Sequence, residues 1–413
     1  RAPGPQRREE LILGASRAAD RRLVVSAPGK TIVMGEHAAV YGAPALVAAV
    51  DRRLTVVLET TDDRGLDPRG GAPSGTVDLD LPLLGVTRRV DWSGLRQRAA
   101  DVRRRWHAFR AATGAGDFSK VRGSDPAMVV EVALGEAADE LIRRHPKVFD
   151  EATAIRLRLE SGLPLGSGFG SSAAAATALV RAAFAWFEVA VEPADVFHLA
   201  LEVERRQHGA PSGVDNQAVL RGGVLWASRP GDVGRSDPAL ESASLEVEPL
   251  DLAASPLLAR LRVLQTGTPA ESTGDVVAAV ARERAQDPES FARRLQEMER
   301  ATRRLRDLFL EIAPDLDAPL DPIRSFERHL EAIGVVPAPV QALIRSIEDR
   351  GGAAKISGAG SLAGPGAGAL LIYHPDRRVL DTIEVSSGER LDLRLGAEGL
   401  RVDFDGPRGA AHC

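Results

Sequence analysis

Hydrophobic and charged residues alternate through "AIRLRLES", residues 154–161, as they do in a strand with one face on a core and the other in water. The same reading gives strands at Leu23–Val25, "LTVVLET" (54–60), "GGVLWAS" (222–228), "RLRVLQT" (260–266), "ALLIY" (369–373) and "LRVDF" (400–404). Helical spacing takes over elsewhere. The stretch after Ser93 predicts a helix with arginines on its outer face. Residues 125–144 predict another, with Asp125 as N-cap and Pro126 at the first helical position. Two more are expected from Ser172 to Phe187 and from Pro193 to Gln207, and two or three beyond "RLRVLQT". Residues 61–78, rich in glycine, proline and aspartate, read as an exposed loop, and between Pro230 and Pro256 the pattern weakens into polar connections. Strands and helices mix without the period of a solenoid or barrel, so the expectation is an α+β chain.

With 413 residues there is enough chain for two cores. We expect residues 1–22 to form an N-terminal extension, 23–255 a first domain and 256–413 a second. Composition narrows the class without naming a chemistry. Hydrophobic content of 44% and charged content of 27% are those of a globular protein, and no apolar run of the ~18 residues needed for a membrane span occurs. Residues 1–22 lack the apolar middle of a secretory signal. The single cysteine, Cys413, excludes an intrachain disulfide, and the eight histidines include no H-E-x-x-H pattern. A reducing, cytoplasmic location is the expectation. A net charge of −5 gives no reason to expect nucleic acid as a partner. Four lysines (Lys30, Lys120, Lys147, Lys355) stand against 49 arginines, and two of the four fall in glycine-rich segments. A compact ammonium reaches a phosphate or carboxylate as a point charge where a planar guanidinium does not fit. Drift is the alternative.

The segment "LPLGSGFGSSAAAATALV" (163–180) places Gly166, Gly168 and Gly170 directly before an alanine-rich helix. Glycines there let the backbone approach a ligand, and the free N–H groups of the first helical turn bind an anion. Ser171 and Ser172 can cap the helix, and a serine hydroxyl at that place can ligate Mg²⁺ beside a phosphate. A tight strand-to-helix turn with a good cap is the plainer alternative. The dinucleotide fingerprint is excluded because its last required glycine is Ser171, and a Walker loop at "PGKT" (28–31) because its first glycine would be Val24. A second segment, "EVERRQHGAPSGVDN" (202–216), brings Glu204 on a helix and Asp215 in a turn, suited to a Mg²⁺ ligand and a general base, or equally to a solvated helix face and a turn aspartate. A third, "KISGAGSLAGPGAGALLIY" (355–373), is a glycine loop able to close over phosphates, or a linker.

Taken together, "APGKTIVMGEHAAVYGAPAL", "LPLGSGFGSSAAAA" and "KISGAGSLAGPGAGALL" resemble, in order, the three motifs of the GHMP kinase superfamily. Within it, "HGAPSGVDN" and "QTGTPAESTGDVV" (265–277) are similar to the mevalonate kinases. The resemblance spans most of residues 23–373. It implies the GHMP kinase fold: an N-terminal ribosomal-protein-S5-domain-2-like domain that binds ATP and holds the catalytic residues, followed by a C-terminal ferredoxin-like domain. It also implies ATP-dependent phosphorylation of the primary hydroxyl of mevalonate, with ATP and Mg²⁺ as cofactors. Mevalonate and ATP would be the small-molecule partners, with no nucleic acid or membrane, and a homodimer is among the assemblies it implies.

Carried onto this sequence, the family pattern makes Asp215 and Lys30 the catalytic pair and puts Ser172 and Glu204 on Mg²⁺. Pro164, Gly166, Ser167, Gly168, Gly170, Ser171, Ser172, Gly358 and Gly360 would surround the ATP phosphates. His37, Glu36 and Thr273 would face the substrate, and Lys355 would support the C-terminal loop. Three places depart from the pattern: Phe169 where leucine is common, a longer C-terminal loop carrying Pro365, and Glu271 where relatives often have a basic residue. The alternatives are a family enzyme acting on phosphomevalonate, diphosphomevalonate or another small alcohol, and a non-catalytic nucleotide-binding regulator.

Overall fold

The computed structural model describes residues 21–61, 75–112, 118–164, 168–209, 211–229, 245–252, 254–383, 389–391 and 393–405. Nearly all of the expected N-terminal extension, and most of the expected 61–78 loop, lie outside them. The first sheet is built on two long antiparallel strands, β1 (Arg22–Met34) and β2 (Ala45–Thr60), and runs β12-β1-β2-β5-β3-β4. Its other members are β3 (Thr76–Leu81), β4 (Val86–Asp91), β5 (Ile155–Ser161) and β12 (Arg401–Asp405), with β3 and β5 parallel. Strand β6 (Val224–Ser228) pairs with β2, and β7 (Glu246–Leu250) with β6.

Alternation sets the faces. Leu23, Val25 and Ala27 of β1 and Ile155, Leu157 and Leu159 of β5 are buried. On the opposite face Arg22, Glu59, Arg156, Asp78 and Arg89 stand in register across five strands, alternating in sign. Opposite charges on neighbouring strands support pairing, and this face carries them in place of a second apolar layer.

The longer helices of this half are α1 (Trp92–Ala111), α2 (Met128–Arg144), α3 (Ser171–Trp186), α4 (Pro193–His208) and α5 (Val214–Arg221). Helix α3 lies on β1 and β2 between α2 and α4. Its buried alanines, Ala173, Ala174, Ala176, Ala178 and Ala182, favour the helix and let its backbone come close to the sheet. The second sheet is antiparallel, β11-β8-β10-β9, formed by β8 (Leu261–Gln265), β9 (Ala353–Ser357), β10 (Ala369–Tyr373) and β11 (Glu389–Leu391). In chain order this is 4-1-3-2, the ferredoxin-like arrangement that was expected. Between β8 and β9 run α6 (Thr273–Gln286), α7 (Pro288–Leu310), α8 (Leu320–Ala332) and α9 (Ala338–Glu348). Helix α7 buries Phe291, Leu295, Met298, Leu305 and Leu308, a single stripe at helical spacing.

The structure differs from the sequence reading in several places. Strand β1 does not stop at Val25 but continues through "APGKT", because β2 pairs with it on both sides of an irregularity at Pro28–Gly29. Helix α2 begins at Met128, since Asp125 turns its carboxylate to the Ala127 N–H and to Arg88. Ser171 and Ser172 open α3 rather than cap it; Gly170, at φ 70°, holds the cap position. Residues 246–250, read as a polar connection, form a strand. Four long helices, not two or three, fill the second half: Asp287 ends α6 and caps α7, where Pro288 starts a new helix.

Strand "LRVDF", expected in the second domain, belongs to the first sheet. It occupies the free edge of β1, from Arg22 opposite Asp405 to Ser26 opposite Arg401. The Arg53 guanidinium fastens this return, donating to Ser26 O at 2.8 Å, Glu398 O at 2.8 Å and Gly399 O at 2.7 Å. Among the described residues no helix is long and apolar enough to cross a membrane.

Candidate active site

A cleft of about 200 Å³ opens where the start of α3, the end of α4, the start of α5, the end of β1 and the loop after β9 converge. A larger hollow of about 770 Å³ lies on the charged face of the first sheet, lined by Arg22, Glu59, Asp78 and their neighbours. The candidate chemistry is all in the smaller cleft, and we place the site there on the strength of its side chains. Lys30, Glu36, His37, Gly168, Gly170, Ser171, Ser172, Glu204, Asp215, Thr273 and Gly358 all line it. Pro164 and Gly360 do not, and Gly166 and Ser167 fall outside the described residues.

The glycine turn shapes the floor. Lys30 N–H donates to Phe169 O at 2.9 Å, so β1 and the turn run side by side. A Cβ on Gly170 would sit 2.8 Å from Lys30 Cγ, and φ there is 70°. The lysine stem therefore passes where any side chain at 170 would stand. A Cβ on Gly168 would lie 2.9 Å from Ser357 O, and one on Gly358 would lie 3.2 Å from Gly168 Cα, so the central and C-terminal glycine loops touch backbone to backbone.

Lys30 emerges from this floor, 3% exposed, with Nζ 2.9 Å from Asp215 Oδ2. Asp215 is in the first turn of α5, where the helix N-terminus favours its negative charge. Glu204, buried on α4, accepts the hydroxyl proton of Ser172 and lies 3.7 Å from His208 Nε2. Burial pushes the Glu204 carboxyl above its ordinary range; His208, Ser172 and Lys30 pull it back, and Asp215 pushes the same way. Ser172 and Glu204 are two hard oxygen donors at the start of α3, which fits Mg²⁺, an ion that takes few protein ligands and fills its shell with water and phosphate oxygens. Among the described residues no group of three or more His, Cys, Asp or Glu could hold a metal without such help.

His37 has φ 56°, in the left-handed region, a strained conformation for a side-chain-bearing residue. Its Nε2 is 2.8 Å from Ala359 O, and since a carbonyl only accepts, Nε2 carries a proton. Burial pushes its pKa down, so the ring is neutral and Nδ1 is an acceptor. Glu36 faces inward instead: its carboxylate pairs with Lys355 at zero exposure of either side chain, and Oε2 is buried without a partner among the described residues. Lys355 Nζ also donates to Ile356 O at 2.7 Å. Lys355 thus braces Glu36 and β9 from beneath.

Two further residues of the second motif, His208 and Asn216, also line the cleft. Among the described residues, both side-chain polar atoms of Asn216, 1% exposed on the cleft wall, have no partner, and nor does the buried His208 Nδ1. For His208 the signal was available, since a histidine four residues after Glu204 shares its helix face. Asn216 carried no local signal beyond standing next to Asp215.

Residues 131–223 match the GHMP kinases N terminal domain. The chain is 26% identical to the mevalonate kinase of Pyrococcus abyssi over 392 residues, 93% of this chain and 98% of that one. Among solved structures, Methanococcus jannaschii mevalonate kinase superposes with a TM-score of 0.64 at 16% identity, covering 90% of this chain and 98% of its own. Streptococcus pneumoniae phosphomevalonate kinase, in complex with phosphomevalonate and AMPPNP, gives 0.61 at 14% identity over 89% and 99%. Likeness at those identities establishes a common fold and leaves the substrate open. On these matches the chain has the GHMP kinase fold, its residues 131–223 match that family's N-terminal domain, and its curated relatives indicate a kinase phosphotransferase.

Proposed function

We propose that the chain transfers the γ-phosphoryl group of ATP to the primary hydroxyl of mevalonate, giving 5-phosphomevalonate and ADP. The observation that carries this reading is the Lys30–Asp215 pair at 2.9 Å, set beneath the glycine turn that opens α3. Asp215 accepts the hydroxyl proton as the substrate oxygen bonds to the γ-phosphorus and the bond from that phosphorus to the bridging oxygen breaks. Lys30 holds Asp215 in place and offsets the charge that develops on the attacking oxygen and the transferring group. The first-turn N–H groups of α3 and the backbone at Gly168 and Gly358 receive the phosphates. Ser172 and Glu204 would hold Mg²⁺, which supplies neutralisation of phosphate charge. His37 offers Nδ1 to a substrate hydroxyl, and Thr273 and Asn216 offer polar groups on the substrate side.

Mevalonate is favoured over phosphorylated substrates by charge. Among the described residues lining the cleft, Lys30 is the one lysine or arginine, and Asp215 already engages it. A substrate phosphate would bring about two further negative charges with no cation to receive them, whereas mevalonate brings one. The curated relatives named mevalonate kinase support the same choice. Turnover of mevalonate, 5-phosphomevalonate, homoserine and galactose at fixed ATP tests it. Mevalonate is expected to have the highest kcat/KM, and ranking last would reject the assignment.

A further inference from the structure

The C-terminal glycine loop, residues 358–368, is fastened to the opposite rim of the cleft by one carboxylate. Ser361 is wholly buried. Its Oγ lies 2.6 Å from Glu271 Oε2 and 2.7 Å from Ala363 O, and it receives Ala270 N–H at 3.3 Å. Leu362 N–H donates to the same Glu271 oxygen at 3.1 Å. The loop has two other anchors nearby: Ala359 O is bonded by His37, and Ser361 N–H donates to Val335 O at 3.0 Å. Thus the segment that touches Gly168 at Gly358 is held at Glu271 three residues further on. Glu271 in turn stands two residues before Thr273, the first residue of α6, which lines the cleft together with Val277.

The Ser361 hydroxyl has a single proton and two acceptors within reach. A carboxylate is the stronger acceptor, so with Glu271 ionised the proton bridges the two segments. The hydrogen bonds from Ser361 and Leu362 hold the Glu271 carboxyl below the usual carboxylate range, consistent with that arrangement. Without Glu271 the hydroxyl turns to Ala363 O and stays satisfied inside its own loop. The loop therefore has two hydrogen-bonded arrangements, one in which the Glu271 carboxylate ties it across the rim and one in which the Ala270 N–H to Ser361 Oγ bond is left to do so at this point.

We propose that Glu271 is a positioning residue, a latch through which nucleotide at the C-terminal glycine loop orders the start of α6 on the substrate side. The proposal rests on the reading that nucleotide phosphates lie against Gly168 and Gly358. It predicts that a non-hydrolysable ATP analogue with Mg²⁺ slows amide exchange in residues 268–277, the segment that Glu271 and the Ala270 N–H join to the loop. In Glu271→Ala the analogue should bind within about threefold of wild type while that added protection disappears. With substrate, the same variant should raise the KM for the alcohol by about three- to tenfold and change kcat by less than about twofold. Glu271→Gln, which keeps an acceptor oxygen, should restore most of both effects. The Tm of Glu271→Ala should change little, because the Ser361 hydroxyl is satisfied either way.

Equal nucleotide-dependent protection in wild type and Glu271→Ala would overturn the latch, as would unchanged KM values or a loss of kcat alone. An analogue that binds wild type without protecting 268–277 overturns the latch and leaves the nucleotide reading standing. An analogue that fails to bind wild type overturns both.

Discussion

Asp215 and Lys30 form a pair in which each residue makes the other usable. The ammonium is almost fully buried and would be poorly placed without a carboxylate, while the carboxylate, 34% exposed, keeps one side open to the cleft. Asp215→Asn preserves shape and contact but removes the proton acceptor. We expect kcat to fall by about 10²–10⁴-fold with nucleotide binding nearly unchanged, measured by steady-state turnover beside calorimetric titration of the ATP analogue.

Glu327 tests burial in a different way. One of its oxygens accepts Ile356 N–H at 3.1 Å, and Oε1 is buried without a partner among the described residues. Burial pushes its pKa from 4.5 up to about 8; Lys355 and the Ile356 N–H oppose this, while Glu331 and Glu36 add to it. The folded chain keeps a proton that the unfolded chain releases above pH 4.5. That contribution is full below pH 4.5 and is lost as pH rises through about 8. Glu327→Gln, neutral at every pH and still able to accept from Ile356, should therefore gain Tm over wild type at about pH 9 and little at about pH 5. Thermal unfolding across that range is the measurement; an equal difference at both ends would contradict the sign.

The turn before α3 joins the glycines to the catalytic pair. Gly170→Ala forces a side chain into a left-handed position and against the Lys30 stem, so it should displace the ammonium even though residue 170 touches no reacting atom. A loss of about 1–3 kcal/mol in stability, with a kcat loss larger than that loss explains, is expected from denaturant unfolding paired with turnover.

What the sequence disclosed here follows from local physics. Strand β5 was legible because Ile155, Leu157 and Leu159 alternate with charged residues, and α3 because alanines follow glycines. Strand β9 gave no such signal: Ala353–Ser357 is buried on both faces and carries a lysine, which reads as surface until its partner is known. That partner, Glu36, is 319 positions away, beyond the reach of any periodicity. The same distance explains why Glu36 was expected to face the substrate and is found paired beneath the cleft floor. Lys30, Ser172, Glu204 and Asp215 were legible because each sits in a short motif, and the cleft gathers all four. The Glu271–Ser361 contact joins two segments 90 positions apart, and neither pointed to the other.

At the scale of the molecule, the cleft lies between two sheets whose connection is doubled. The chain passes from the first half to the second after β7 and returns as β12, where Arg53 fixes the backbone at Glu398 and Gly399. The outer face of the first sheet carries its charged row into water, and the helices close the other face.

The scarcity of lysine has a practical side once burial is known. Lys30 and Lys355 are 3% and 0% exposed, whereas Lys120 and Lys147, which flank α2, are exposed. An acylating reagent should therefore find only two side-chain amines, neither of them lining the cleft, and peptide mapping should locate the label at Lys120 and Lys147 with turnover retained. The molecule could be tethered to a surface or tagged with a dye through those two amines, beyond opposite ends of α2, with the cleft lysine left unmodified. Early acylation of Lys30 at the same dose would mean the floor opens far more often than its packing allows.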